Sequence, residues 1–135
     1  MNPLARLFHK PPASPAELWV GLLAAVRDSN TERVKEILSD HPEMISRTDD
    51  KGMTALHWAA QYQTLASTAC LIDHGANPHI KDNLGYVPRQ VAQWYGEYRM
   101  GAYTESCLKI VDRIKKAERD SPPNDSPSVV DESSP

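Results

Sequence analysis

Residues 49–60 read DDKGMTALHWAA, and residues 70–78 read CLIDHGANP. The start of the first stretch is repeated further along the chain. DDKG at 49–52 recurs as DNLG at 82–85, a spacing of 33 residues. After each glycine the chain carries a short helical pattern, a polar break and a second helical pattern. A fixed period of this length is typical of stacked helical repeats.

The turn that opens each period has the residues that a tight turn requires. Gly52 and Gly85 permit the positive φ of such a turn. Asp49 and Asp82 are short polar side chains suited to hydrogen bonds within the turn. Thr54 is placed to cap the helix that follows.

The helical segments after the first turn have residues suited to close packing. Leu56, Ala59 and Ala60 let neighbouring helices approach, and Gly75 suits the left-handed residue that ends a second helix. We therefore expect a helix, a turn and a second helix in each period.

These stretches resemble the ankyrin-repeat family, whose pattern is G-x-T-P/A-L-H-x-A-A followed by L-L-x-x-G-A-x-P. The chain fills the key positions of both halves, and the resemblance extends over about residues 18–115. It implies an all-α fold, an ankyrin-like helical solenoid of about three helix-turn-helix repeats with short protruding turns.

The first unit lacks the opening turn but keeps the helical signals. Ser14, Pro15 and Glu17 form a predicted capping box, and the stretch Ser29-Asn30-Thr31-Glu32 marks a second helix start. Pro42 ends that second helix, since proline disfavours helical geometry in the preceding residue. Five residues fall on core positions of the family: Leu22, Ala25, Val34, Ile37 and Leu38.

The third unit departs from the family pattern. Val87, Arg89 and Gln90 stand where the family prefers Thr, Leu and His, so the unit loses the Thr–His pairing and one core leucine. Terminal repeats are more polar outside because nothing stacks on them, and we interpret this unit as a C-terminal cap. An inserted loop is predicted over Tyr98–Tyr103, followed by a helix over about 104–119. Its predicted buried face contains Cys107, Leu108, Val111 and Ile114.

Composition divides the chain into three parts. Residues 1–13 contain three prolines and are expected to form a flexible arm, and residues 14–119 form the repeat domain. Residues 120–135 hold four acidic and no basic residues, with four Pro and five Ser, which predicts a disordered acidic tail. Its three Ser-Pro dipeptides could accept proline-directed phosphorylation, or the tail could be solely solvating.

Charge and hydropathy exclude several classes of function. The net charge is −3, of which −4 lies in the tail, so the rest sums to −3 − (−4) = +1. Nucleic-acid binding, which needs a concentrated basic stripe, is not expected. No stretch approaches the roughly 20 apolar residues of a membrane span, and we do not expect a secretory signal. We expect a cytoplasmic protein, with a nuclear location as the alternative.

No arrangement typical of catalysis or metal binding is visible. The resemblance implies a structural role for His57, a hydrogen bond between adjacent turns. His74 and His79 do not form a zinc pattern, which needs three or four converging ligands. Cys70 and Cys107 are expected to be buried, reduced thiols. The sequence has no G-x-S-x-G and no phosphate-binding glycine loop, so we predict no enzyme activity, no metal and no cofactor.

The resemblance implies a function in protein binding, by a chain that is a monomer when alone. Family contacts lie at the turn tips and at the exposed edge of the first helix of each unit. An alternative is a dedicated inhibitor or stabilising subunit of one enzyme or toxin. A further alternative buries Trp94 and Tyr95 under the 98–103 insertion, and Trp58 is expected in the core. The predicted partner-binding residues are Asp50, Lys51, Met53, Gln61, Tyr62, Asn83, Leu84, Tyr86, Trp94 and Tyr95.

Overall fold

The computed structural model describes residues 13–99 and 105–121. Within these residues the chain is all-α, as predicted, and has no β-strand. A 3₁₀ turn spans Pro42–Ser46 and a π-helical turn spans Tyr95–Arg99. The described residues form six α-helices: α1 Pro15–Arg27, α2 Thr31–Asp40, α3 Ala55–Tyr62, α4 Leu65–Asp73, α5 Pro88–Trp94 and α6 Glu105–Asp120.

The helices form three stacked pairs. Within a pair, α1 packs on α2, α3 on α4, and α5 on α6. Between pairs, α3 contacts both α1 and α5, whereas α4 contacts both α2 and α6. One row therefore contains the first helix of each pair and the other row contains the second, which is the predicted solenoid of three repeats.

Local capping fixes where the first two helices begin. Ser14 Oγ accepts from the Glu17 N–H at 3.2 Å, and Glu17 Oε1 accepts from the Ser14 N–H at 2.9 Å. This confirms the predicted capping box. At α2 the cap is Asn30, whose Oδ1 accepts from the Arg33 N–H at 3.2 Å. The helix ends at Asp40, just before Pro42, as predicted.

Apolar side chains lie in two clusters. The first cluster lies among α1–α4, and all five predicted core residues of the first unit are buried in it. The second cluster joins Ala60 of α3 to residues of α5 and α6. The middle pair thus contributes to both clusters, which is how a helix stack builds a continuous core.

The last helix is described over Glu105–Asp120, against an expected range of about 104–119, and its predicted buried face was wrong at one position. Cys107, Val111 and Ile114 are buried, but Leu108 is 50 % exposed. Successive residues turn an α-helix by about 100°, so Leu108 lies well off the face of Cys107 and Val111. The i, i+3, i+4 spacing instead buries Ile110.

Polar contacts close the C-terminal side of the stack. Arg89 Nε donates to both carboxylate oxygens of Glu118 at 3.0 Å, and its guanidinium also reaches Gln93 Oε1 at 3.3 Å. Arg89 occupies the position that Leu56 occupies in the middle unit. A charged residue there agrees with the interpretation of the third unit as a C-terminal cap. Burial raises the pKa of both the Cys70 and Cys107 thiols, in line with their expected role as buried, reduced side chains.

Some predicted segments lie outside the described residues. These are the arm before residue 13, the tail after residue 121 and positions 100–104 of the predicted insertion. The start of that insertion, at Tyr98 and Arg99, belongs to the π-helical turn. Within the described part of the chain, no helix is long and apolar enough to cross a membrane.

Candidate binding groove

Two turns of the same geometry protrude from the stack, one before α3 and one before α5. Asp49 Oδ1 accepts from the N–H groups two and four residues later, at 2.9 and 3.0 Å. Asp82 Oδ1 does the same, at 2.9 Å to both. Gly52 and Gly85 have φ values of 76° and 88°, the left-handed conformation that glycine tolerates.

The second turn is hydrogen-bonded to the first. The Asn83 N–H donates to the Lys51 carbonyl at 2.9 Å, and Asn83 Nδ2 donates to the Asp50 carbonyl at 2.9 Å. A β-carbon on Gly52 would lie 2.9 Å from the Asn83 backbone nitrogen. The two turns are therefore fixed against each other at van der Waals distance.

The buried side chain of His57 links the same two turns by hydrogen bonds. The Thr54 N–H donates to His57 Nδ1 at 3.1 Å, so Nε2 carries the proton and donates to the Tyr86 carbonyl at 2.9 Å. Burial lowers the pKa of His57, an effect that the Tyr86 carbonyl partly offsets, and the neutral ring suits this pattern. The expected structural role is confirmed.

A groove of about 440 Å³ lies where these turns meet helices α3 and α5. Seven of the ten predicted partner-binding residues line it, and three further residues join them. We refer to the set as the binding groove: Lys51, Met53, Gln61, Asp82, Leu84, Tyr86, Gln90, Val91, Trp94 and Tyr95.

The other three predicted residues lie beside the groove rather than in it. Asp50 and Asn83 join the two turns through their hydrogen bond. Tyr62 packs against the first cluster and lies against Trp58, with ring centroids 5.6 Å apart. None of the three is among the residues that line the groove.

The groove exposes large apolar side chains. Leu84 is 80 % exposed, Tyr86 46 % and Trp94 51 %. Met53 is buried, so only a small part of its side chain is accessible. Tyr95 packs partly on the second cluster and meets Trp94 edge-to-face at 4.9 Å between centroids. Apolar surface of this kind on a small protein usually marks an interface.

Sequence reasoning missed three lining residues, namely Asp82, Gln90 and Val91. Asp82 had been explained by its turn and Gln90 as a departure from the family pattern, whereas Val91 had not been considered. The 33-residue period could have identified Val91, since this smaller side chain occupies the position that Trp58 occupies in the middle unit.

Trp58 itself is partly buried and packs against the first cluster, in agreement with the core expectation. Its Nε1–H donates to Asp49 Oδ2 at 2.8 Å, and Lys51 Nζ lies 5.8 Å from its ring centroid. The indole thus fills the space behind the first turn.

The side chains that line the groove are suited to contacts with another molecule. Within residues 13–99 and 105–121, no group of three or more His, Cys, Asp and Glu side chains is placed to hold a metal ion. The groove offers aromatic rings, one carboxylate and one ammonium group. Such a set can recognise a side chain, and it contains no nucleophile paired with a base.

Comparison with known proteins places the chain among repeat proteins. A family model described as ankyrin repeats (3 copies) matches residues 10–100. Human diacylglycerol kinase iota is 38 % identical over 84 residues, which cover 61 % of this chain and 8 % of the kinase. Human SH3 and multiple ankyrin repeat domains protein 2 is 35 % identical over 81 residues, 60 % of this chain and 4 % of that protein. Human neurogenic locus notch homolog protein 2 is 32 % identical over 98 residues, with shares of 73 % and 4 %. The matched regions are small parts of much larger proteins.

Proposed function

The chain belongs to the ankyrin-repeat family, whose repeats are generally protein–protein interaction modules without catalytic activity, and from this premise we propose that it is an adaptor. Its partner protein binds through the turn tips and the binding groove. The observation that carries the proposal is the exposure of Leu84, Tyr86 and Trp94 around one concave surface.

Physical reasoning supports this surface over others. Tyr and Trp dominate the residues that contribute most to binding energy in protein interfaces. A groove fixed by hydrogen bonds between its two turns loses little conformational entropy on binding. In the part of the chain that the structure describes, two other large apolar side chains are well exposed, Val20 and Leu108, and neither lines the groove.

Site-specific photo-crosslinking tests the proposal. A photoreactive phenylalanine derivative replaces Leu84 in the full chain, and the control replaces Val20, which is 65 % exposed on α1. Crosslinking in the native host is expected to join one protein at position 84 and none at position 20. Equal labelling at both positions would show that the groove is not the binding surface.

A second variant tests the same face without a label. Tyr86→Ala combined with Trp94→Ala is expected to abolish partner binding, because both rings are about half exposed and line the groove. The melting temperature should change little. Binding at wild-type affinity by this double variant would contradict the proposal.

A further inference from the structure

Internal repetition allows the two turns to be compared position by position. Behind the first turn, Trp58 donates its indole N–H to Asp49 Oδ2 at 2.8 Å. The equivalent residue behind the second turn is Val91, whose side chain has no polar hydrogen and whose backbone N–H donates to the Val87 carbonyl. Among the described residues, no donor reaches Asp82 Oδ2, although its Oδ1 accepts the same two bonds as Asp49 Oδ1.

The replacement changes shape as well as hydrogen bonding. Trp58 fills the space beside its turn with a planar ring and lies against Tyr62. Val91 is smaller, and it lines the binding groove together with Asp82 and Tyr95, the equivalents of Asp49 and Tyr62. We call the part of the groove lined by Asp82, Val91 and Tyr95 the notch.

The two turns also differ in charge at one equivalent position. Lys51 lies in the first turn, with its ammonium group 5.8 Å from the centre of the Trp58 ring. The equivalent residue in the second turn is Leu84, which carries no charge and is 80 % exposed. The first turn therefore has an indole donor for its aspartate and a lysine over that indole, whereas the second turn has a valine and a leucine at these positions.

We propose that the notch binds an arginine side chain of the partner, a conclusion that rests on the proposed function of the groove. A guanidinium group is planar like the missing indole, donates N–H groups to a carboxylate, and carries the positive charge that the second turn lacks. It also stacks on aromatic faces, and the groove presents Tyr86, Trp94 and Tyr95 for this purpose. A partner segment with an arginine next to apolar residues fits both the notch and the exposed rings.

The test uses small probes on the full-length protein. N-acetyl-arginine amide is titrated into isotope-labelled protein and followed by NMR, with N-acetyl-citrulline amide as the neutral isostere. The arginine probe is expected to shift the amide signals of Leu84 and Tyr86, because both donate to Asp82 Oδ1. Binding of the citrulline probe should be weaker by about tenfold, the effect of replacing a charged hydrogen-bond partner by a neutral one.

Asp82→Asn separates charge from structure. Asparagine keeps the Oδ1 acceptor of the turn, so the fold should persist while the difference between the two probes disappears. Asp112→Asn, an exposed acid on α6, is the control for net charge and should leave binding unchanged. Val91→Trp should also remove arginine binding, since it refills the notch with the chain's own indole.

Three results would overturn the proposal. These are equal affinity for both probes, unchanged preference in Asp82→Asn, or no shift at Leu84 and Tyr86 at the solubility limit of the arginine probe. Failure of the adaptor proposal looks different. If arginine binds in the notch but position 84 crosslinks to no protein, the notch stands and the adaptor function is wrong. If position 84 crosslinks to a partner but arginine does not bind, the reverse holds.

Discussion

Leu56 in the middle unit is 1 % exposed and packs in the first apolar cluster, whereas Arg89, its equivalent 33 residues later, makes an ion pair with Glu118. The backbones of the two turns are alike, and so are the bonds made by Asp49 and Asp82. The units differ in what surrounds each position. The middle unit has a neighbour on both sides, and the third unit has a described neighbour on one side only.

This difference explains which positions tolerate polar residues. A side chain between two units loses all contact with water, so apolar area contributes about 25 cal/mol per Å² there. The Arg89–Glu118 pair in the last unit stays partly hydrated, so the ion pair costs less there than it would in a fully buried site. The same reasoning applies to His57 and Gln90, which stand at equivalent positions.

The largest difference in stability is expected between alanine variants at the equivalent positions 56 and 89. Leu56→Ala should lower the free energy of unfolding by about 2–5 kcal/mol, the usual cost of truncating a core leucine. Arg89→Ala should cost about 1 kcal/mol, since the side chains of Arg89 and Glu118 are 30 % and 19 % exposed and the pair is partly hydrated. Urea unfolding followed by circular dichroism measures both. Equal losses for the two variants would mean that position 89 is as much part of the core as position 56.

The next largest effect is expected at the glycines of the two turns, Gly52 and Gly85. Both have positive φ, so alanine should cost about 1 kcal/mol at either position. At Gly52 the new β-carbon would also lie 2.9 Å from the Asn83 backbone nitrogen, whereas at Gly85 nothing lies within 4 Å. Gly52→Ala should therefore cost roughly 1–3 kcal/mol more than Gly85→Ala.

Thermal and urea unfolding of the two glycine variants check this order. Gly85→Ala serves as the control, because it has the same backbone strain without the contact. If both variants lose the same stability, the second turn does not press on the first as closely as the structure indicates.

The buried histidine makes the stability of the middle unit depend on pH. The pKa of His57 is lowered by burial in the folded state, while in the unfolded chain it is about 6.5. The unfolded state then binds more protons below that value. The stability from neutral His57 is complete above about pH 6.5 and is lost as the pH falls towards the lower folded pKa, by at most about 1.4 kcal/mol per pH unit.

Urea unfolding at about pH 7.5 and about pH 5.5 measures this loss. The wild type should lose more stability between the two conditions than His57→Gln, which does not titrate. An equal loss in both proteins would show that other groups account for the pH dependence.

The sequence allowed most of the fold to be predicted because the middle unit carries its full motif. The caps at Ser14 and Thr54 and the turn glycines depend on short-range geometry or on a regular period, and all are confirmed. The structural role of His57, which the family resemblance implied, is confirmed as well. The prediction for Leu108 was wrong because it departed from the i, i+3, i+4 spacing, which places Cys107, Ile110, Val111 and Ile114 on one side of the helix. Helices α4 and α5 pack on that side.

The candidate groove was predictable in part. Turn tips and first-helix positions follow from the repeat, which is why seven predicted residues line it. Asp82 and Val91 were missed because their importance depends on a difference between units: the third unit has no equivalent of the Trp58 indole. That Val91, the equivalent of Trp58, lines the groove depends on how the third unit packs in three dimensions, and no local pattern in the sequence marks it.

The smallest effect is expected where the family residue is restored in the third unit. Gln90 is exposed, and its Oε1 accepts from the Val87 N–H at 2.9 Å, so it already satisfies the group that His57 Nδ1 satisfies in the middle unit. Gln90→His would keep that bond, but within the described residues no further turn offers a carbonyl to its Nε2–H. The variant should unfold within about 0.5 kcal/mol of the wild type, whereas His57→Gln in the middle unit loses the bond to the Tyr86 carbonyl. A clear gain of stability in Gln90→His, measured by the same urea titration, would show that an acceptor lies beyond the third unit and that this unit is not the end of the stack.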